Sequence, residues 1–172
     1  MRRPVIGVMG ANNPSPGAAA MARQLGQLIA AAGWVLLTGG RPSGIMEAAN
    51  AGAKTVPGSL TLGILPTGPD GPVSASVDVA VFTGLGDARN AVNVLSSDVV
   101  IACGVEGPGT ASEVALALKS GRPTVLLAAA PAAAAFYHSV VPRGLLHEVA
   151  TPEAAVTLIE QELGIPRGEW AS

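Results

Sequence analysis

Short apolar runs alternate along the chain with segments in which apolar residues recur every three or four positions. Six apolar runs are present, at residues 4–9, 34–37, 60–65, 77–82, 98–102 and 124–127. Five of them are nearly continuous, which is typical of strands buried on both faces of a sheet. The pattern therefore predicts repeated β-α units in an α/β, Rossmann-like three-layer αβα fold with an open, mainly parallel sheet of six or seven strands.

Capping residues and glycines mark where the intervening helices begin and end. Ser43, Asp87 and Thr151 stand where N-caps are expected, and Gly33 and Gly121 directly follow helical segments. The predicted helices cover residues 17–32, 44–54, a segment from Asp87 to about Ser96, residues 109–120, and a segment from Thr151-Pro152 to Gly164. Segment 66–76 is rich in Gly, Pro and Asp, so we interpret it as an exposed loop and a candidate cover for a binding site.

Length and composition indicate one domain with an aliphatic core. The chain has 172 residues, of which 49% are hydrophobic and 13% charged, and no segment resembles a linker. Aromatic residues make up only 3%, whereas Gly and Pro number 22 and 14. We therefore expect a single domain over residues 1–172, with Ala, Val, Leu and Ile in the core and tight turns around it.

Charge and cysteine content argue against several functional classes. The net charge is -2 and the basic residues form no run beyond Arg2-Arg3, so nucleic acid is not an expected partner. Cys103 is the single cysteine, which excludes an intramolecular disulfide, and its place in an apolar run predicts a buried side chain. His138 and His147, without a second cysteine, do not indicate a zinc site.

No segment has the pattern of a membrane span or a secretion signal. The longest apolar region, residues 124–137, is interrupted by Pro131 and is shorter than the roughly 20 residues of a spanning helix. The N-terminal apolar run is also too short for a signal-peptide core. We expect a cytoplasmic protein without membrane partners.

Four loops with unusual chemistry follow predicted strands. Open parallel sheets bind ligands beyond the carboxyl ends of their strands, where these four loops are expected to meet. Their glycines allow a ligand to approach the backbone closely. The loops span residues 10–13, 38–44, 84–87 and 104–113.

The loop at 104–113 leads from a strand into a helix and predicts an anion-binding turn. Free backbone N–H groups and the helix dipole both favour a phosphate at such a position. Thr110 and Glu113 have capping-box spacing, so Glu113 either caps the helix or contacts a ligand. The residues alone leave both roles open.

The other loops supply candidate polar contacts. Arg41 follows two glycines and either pairs with a phosphate or remains solvated. Arg89 and Asn93 share one face of a predicted helix, with Asn90 beside them. We interpret this cluster as ligand-binding, because guanidinium and amide groups recognise phosphates and ring heteroatoms, although a salt bridge from Arg89 to a nearby acid is the alternative.

Two common nucleotide-binding motifs are absent. The first strand is not followed by the spaced glycines of a dinucleotide fingerprint, and no acidic residue ends the second strand. No Gly-Lys-Ser/Thr sequence is present either. We therefore predict neither a nicotinamide cofactor nor triphosphate hydrolysis.

Three motifs together resemble a known superfamily. They are Gly-Gly-x-x-x-Gly-x-Met-Glu at 39–47, Arg-Asn at 89–90 and Gly-x-Gly-Thr-x-x-Glu at 107–113. In this order they resemble the superfamily once mislabelled lysine decarboxylase, which contains the LONELY GUY phosphoribohydrolases and the molybdenum cofactor carrier proteins. The resemblance spans nearly the whole chain and implies a homodimer or homotetramer that binds a phosphorylated small molecule, either of molybdopterin type or a nucleoside monophosphate.

Departures from the hydrolase pattern favour the carrier branch. Glu106 stands where the hydrolases have glycine, Asn90 replaces their lysine, and Pro108 lies within the glycine motif. The carrier resemblance implies the molybdenum cofactor as bound ligand, with its phosphate at the helix starts after Gly44 and Gly109 and no separate metal site. The predicted ligand contacts are Gly10, Ala11, Asn12, Gly39, Gly40, Arg41, Gly44, Met46, Glu47, Arg89, Asn90, Gly104, Gly107, Gly109, Thr110 and Glu113.

Two further functions stay open from the sequence. In a phosphoribohydrolase of the cytokinin riboside type, Arg89 would orient the phosphate or ribose and Glu113 would assist the attack of water. A regulatory or structural oligomer with a vestigial nucleotide site is the other possibility. Decarboxylation is not expected, because Lys54 and Lys119 both lie in predicted helices and neither stands out as a pyridoxal-binding residue.

Overall fold

A seven-stranded, all-parallel sheet forms the centre of the described structure. The computed structural model describes residues 2–141, 143–161 and 163–168. The strand order is β4-β3-β2-β1-β5-β6-β7, which confirms the predicted open α/β sheet. The strands are β1 (Val5–Gly10), β2 (Val35–Thr38), β3 (Leu60–Leu65), β4 (Val79–Phe82), β5 (Val99–Cys103), β6 (Thr124–Leu127) and β7 (Leu146–Val149).

Six α-helices within the described residues cover the two faces of the sheet. They are α1 (Pro16–Ala31), α2 (Gly44–Ala53), α3 (Arg89–Leu95), α4 (Pro108–Lys119), α5 (Pro131–Val140) and α6 (Pro152–Gln161). One core contains buried residues of α1, α2 and α6, and two smaller cores on the other face contain residues of α3, α4 and α5. Successive residues such as Leu36 and Leu37 enter different cores, as the alternation of a strand requires.

Glycines allow α1 and α2 to pack in direct backbone contact. A Cβ atom at Gly26 would overlap the carbonyl oxygen of Ala49, and one at Gly52 would overlap that of Arg23. The helices therefore approach more closely than alanine at either position would permit. This close packing agrees with the glycine-rich, aromatic-poor composition.

The central strands β1 and β5 create a crevice at the carboxyl edge of the sheet. Strands β2, β3 and β4 lie on one side of β1, and β5 lies next to β1 on its other side. Loops leaving β1 and β5 therefore diverge from adjacent strands, which is where open α/β sheets bind ligands. At the opposite edge Asp98 accepts a hydrogen bond from the Val5 amide at 2.8 Å and pairs with Arg2.

Several local predictions are wrong in detail. The sequence patterns predict neither α5 nor β7, and Asp87 does not cap α3 because it lies in a 3-10 turn, Gly86–Ala88. Ser43 occupies the N-cap of α2 but its hydroxyl donates to Asn12 Oδ1 instead of capping the helix. The Thr151 cap is confirmed by a 3.2 Å bond from the Ala154 amide.

Helix α6 covers Pro152–Gln161, and residue 163 is not helical, so the helix does not reach the predicted Gly164. The predicted continuation to Gly164 includes Glu162, which lies outside the described residues. None of the described helices is long and apolar enough to cross a membrane. Cys103 is buried as predicted, and burial raises the pKa of its thiol to about 12.

Candidate functional site

A cavity of about 400 Å³ opens at the predicted edge of the sheet. Its volume lies within the usual range of small-molecule sites, roughly 300–1,000 Å³. The walls come from the loops after β1, β2 and β5 and from the start of α3. Twelve of the sixteen predicted contact residues line it, namely Gly10, Ala11, Asn12, Gly39, Arg41, Met46, Arg89, Asn90, Gly107, Gly109, Thr110 and Glu113.

The other four predicted contacts do not line this cavity. Gly44 adopts a φ of 63° and lies against the Ala11 carbonyl, so its glycine serves the packing of α2 on the first loop. Gly40 packs against β3, and its carbonyl accepts a hydrogen bond from Ser74. Gly104 turns the chain after β5, and Glu47 lies in the first turn of α2. At these glycines backbone geometry explains the residue type.

Six residues that the sequence motifs do not predict as contacts also line the cavity. Four of them lie in or next to the motifs discussed above, so extending each motif to its neighbours would identify them. The two others are strand residues whose apolar pattern gives no functional signal. The six residues are Val8, Met9, Asn13, Asp87, Glu106 and Pro108.

Arg89 is a buried cation at the base of the cavity. It is 6% exposed, and its Nη1 donates to the Ile64 carbonyl at 2.8 Å. It forms no salt bridge with any described residue, and its buried Nε has no hydrogen-bond partner among them. Burial lowers the pKa of Arg89, whereas the charges of Glu113 and Asp87 raise it and that of Arg41 lowers it. The predicted alternative of an ion pair with a nearby acid is therefore wrong.

Glu113 does not form the predicted capping box. Helix α4 begins one turn earlier than that motif requires, with Gly107 at the N-cap. Glu113 instead accepts a 3.3 Å hydrogen bond from Asn93 Nδ2, and it is 8% exposed. Burial raises the pKa of Glu113, against the lowering effects of the Asn93 hydrogen bond and the Arg89 charge. The side chain is thus placed at the cavity and not at the helix start.

The start of α4 presents free backbone donors to the cavity. Pro108 has no N–H group, and the Ala111 amide bonds to the Gly107 carbonyl. Within the described part of the chain, the amides of Gly109 and Thr110 have no hydrogen-bond partner. Two unpaired amides at the positive end of a helix form an anion-binding arrangement.

Arg41 lies between this cavity and a second one. The second cavity shares Asn12 and Arg41 with the first and is also lined by Thr67 and Pro72 from the loop that joins β3 to β4. That loop, which includes the predicted cover segment 66–76, therefore borders the neighbouring cavity and does not line the main one.

Comparison with known proteins identifies the family. The sequence profile of the SLOG cluster4 family matches residues 3–156. The chain is 49% identical to the molybdenum cofactor binding protein from Rippkaea orientalis, with a TM-score of 0.89 over 95% of this chain and 99% of that one. It is 45% identical to the molybdenum cofactor carrier protein from Chlamydomonas reinhardtii, with a TM-score of 0.87 over 94% and 99% of the two chains. An uncharacterized protein from Archaeoglobus fulgidus is 43% identical over 117 residues, which are 68% of this chain and 75% of that protein. The chain thus belongs to the SLOG cluster4 family.

Proposed function

We propose that this protein binds the molybdenum cofactor as cargo and carries or stores it, without chemical conversion. The observation that carries the proposal is the 49% identity over nearly the full length to a molybdenum cofactor binding protein. The cavity supports it, because a phosphorylated pterin needs both anion donors and polar groups for its ring, and both are present.

The cofactor phosphate fits the start of α4. The free amides of Gly109 and Thr110 point out of the first turn, where the helix dipole favours negative charge. The Thr110 hydroxyl forms no hydrogen bond with any described residue, so it is available as a third donor. A phosphate held in this way needs no lysine.

Arg89 supplies the buried positive charge for the same ligand. Its guanidinium is anchored on Ile64 and still has an unpaired Nε–H. A buried donor without a partner is costly, so a ligand oxygen at this position would offset that cost. We assign Arg89 to hold an anionic or carbonyl oxygen of the cofactor.

Retention of the cofactor tests the proposal. The purified protein would be incubated with the molybdenum cofactor and passed over a desalting column, and the retained pterin would be measured by its fluorescence after oxidation. We expect stoichiometric retention by the wild type and by Arg23→Gln, a control at an exposed arginine of α1. We expect a loss of about tenfold or more in affinity for Arg89→Gln, because a charged hydrogen-bond partner is removed.

A parallel assay addresses the other functions. Incubation with AMP or a cytokinin riboside monophosphate should release no free base. Sustained release of base and ribose 5-phosphate, abolished by Glu113→Gln, would overturn the carrier proposal in favour of the phosphoribohydrolase. Failure to bind the cofactor or any nucleotide would favour a structural oligomer with a vestigial site.

We further propose that the protein is a cytoplasmic homodimer or homotetramer. The implied superfamily membership supports this expectation. Light scattering coupled to gel filtration would measure the number of subunits, and a monomer at micromolar concentration would contradict it. Fractionation of the producing cells would test the location.

A further inference from the structure

Glu113 is a buried carboxyl group with one oxygen held by the protein and the other available to a ligand. Asn93 Nδ2 donates to Oε1 at 3.3 Å, and Asn93 itself is fully buried. Among the described residues, Oε2 has no hydrogen-bond partner, and Glu113 lines the main cavity. Because the first oxygen faces Asn93, the second is the one that a bound molecule can reach.

This carboxyl group is not neutralised by an ion pair. Arg89 forms no salt bridge with it in the described structure, and the Arg89 Nη1 donates to the Ile64 carbonyl instead. The charge of Arg89 still acts on Glu113 through space. An oriented carboxylate in a cavity needs N–H donors, and a ligand that brings them satisfies it.

Asn93 is placed to fix the orientation of Glu113. The Asn93 amide also approaches the sulfur of Met9 at 4.0 Å, and its Oδ1 is buried without a partner in the part of the chain that the structure describes. The side chain lies behind Glu113 and does not line the cavity. It is therefore a positioning residue and has no direct contact with the candidate ligand space.

We propose that Glu113, oriented by Asn93, selects ligands whose heterocycle has adjacent N–H donors, as the ring N–H and 2-amino group of a pterin or guanine are. A carboxylate accepts both hydrogens of such an edge. The adenine edge offers one donor next to a ring nitrogen with a lone pair, which repels the carboxylate. The inference rests on the proposed function, because it assigns the group that recognises the ring of the phosphorylated cargo.

Two nucleotides that differ only in the base separate ring recognition from phosphate binding. GMP has one phosphate and the same adjacent ring N–H and 2-amino donors as a pterin. AMP has the same ribose and phosphate, but its adenine offers one amino donor beside a ring lone pair. Titration calorimetry of the full chain should give an affinity for GMP that exceeds that for AMP by about ten- to hundredfold, the range for hydrogen bonds to a charged group.

Variants at Glu113 and Asn93 test the assignment. Glu113→Gln keeps the shape but replaces one acceptor by a donor, so the GMP to AMP ratio should fall to within about twofold. Asn93→Ala should lower the same ratio, because Glu113 loses the hydrogen-bond donor that fixes its orientation. The affinity for AMP should not fall in either variant and should rise in Glu113→Gln, because an amide matches the donor and lone pair of adenine, whereas a folding defect would lower both affinities. Glu153→Gln, the same substitution on the exposed side of α6, should keep the wild-type ratio.

Equal affinity for GMP and AMP in the wild type would overturn the inference, as would a ratio that survives Glu113→Gln or an absence of GMP binding up to millimolar concentration. Retention of the molybdenum cofactor distinguishes this failure from a failure of the proposed function. If the cofactor is retained while the nucleotide ratio is near one, only the role of Glu113 is wrong. If the cofactor is not retained, the proposed function is wrong.

Discussion

The guanidinium of Arg89 occupies the space that a side chain at position 39 would need. A Cβ atom on Gly39 would overlap Arg89 Nη1 and lie 2.6 Å from the Met46 sulfur. The same Nη1 donates to the Ile64 carbonyl. Gly39 is thus required for the path by which a residue of α3 reaches across the ends of β2 and β3 into the cavity.

Gly39→Ala should impair ligand binding more than stability. The added methyl group displaces the guanidinium and the Met46 side chain. We therefore expect the losses in the free energies of cofactor binding and of unfolding to add up to about 1–3 kcal/mol. The atoms in the way belong to the side chains of Met46 and Arg89, which can shift. Most of the loss should therefore appear in the free energy of binding. Calorimetric titration and urea unfolding measure the two quantities separately.

A glycine in open space provides the control for this variant. A Cβ at Gly17 in α1 would contact nothing within 4 Å, so Gly17→Ala should keep the affinity and should not lower the stability. An affinity of Gly39→Ala equal to that of the wild type would show that Arg89 does not need its observed position.

Gly26→Ala should destabilise the fold without a specific effect on the cavity. Its methyl group would overlap the backbone carbonyl of Ala49, and backbone cannot move as cheaply as a side chain. We expect a loss of about 1–3 kcal/mol in the free energy of unfolding, measured by urea denaturation. The same substitution at Gly17 is the comparison. Unchanged stability would mean that α1 and α2 can move apart without a loss in the free energy of unfolding.

Asp98→Asn should lower the free energy of unfolding in a pH-dependent way, because Asp98 binds Arg2 and the Val5 amide. Hydrogen bonding from Arg2 lowers the pKa of Asp98 below its ordinary 3.8, and the Val5 amide contributes in the same direction against the effect of burial. Because Arg2 is largely exposed, solvent screens the pair and we expect only about 1 kcal/mol at neutral pH.

The pH dependence identifies the source of this difference. Because the pKa of Asp98 is lowered in the folded protein, its carboxylate stabilises the fold at pH values above the ordinary pKa of 3.8. That contribution is lost as the pH falls through the folded-state pKa. The stability difference between wild type and Asp98→Asn should therefore shrink below pH 3.8. A difference that stays constant down to pH 2 would exclude the charge of Asp98 as its origin.

The sequence predicts the sheet and the edge at which the cavity lies, because buried parallel strands and glycine loops have strong local signals. It does not distinguish glycines that face the cavity, such as Gly39, from glycines that serve packing, such as Gly44, because both occur in one motif. The spacing of Thr110 and Glu113 suggests a cap, yet Glu113 bonds to Asn93, twenty residues earlier in the chain. Such partners depend on how α3 and α4 pack together, which no local pattern records.

Glu113→Gln should change the pH dependence of stability in a direction set by burial. Burial raises the pKa of Glu113 above its ordinary 4.5 even though Asn93 and Arg89 act to lower it. In the folded protein the carboxyl group therefore retains its proton at pH values at which the unfolded chain has lost it. Unfolding then releases protons, so the free energy of unfolding falls as the pH rises from 4.5 through the folded-state pKa.

Glutamine has the shape of the neutral carboxyl group but does not titrate. The stability of the wild type relative to Glu113→Gln should therefore be greatest below pH 4.5 and decrease towards neutral pH. Urea unfolding of both proteins in a series of buffers from pH 4 to pH 8 measures this difference, and its slope does not depend on the other titrating groups that the two proteins share. If the relative stability of the wild type rises with pH instead, Glu113 is better solvated or more strongly paired with Arg89 than its burial indicates. In that case the carboxylate already has its partner within the protein, and its availability to the N–H donors of a ligand would be correspondingly small.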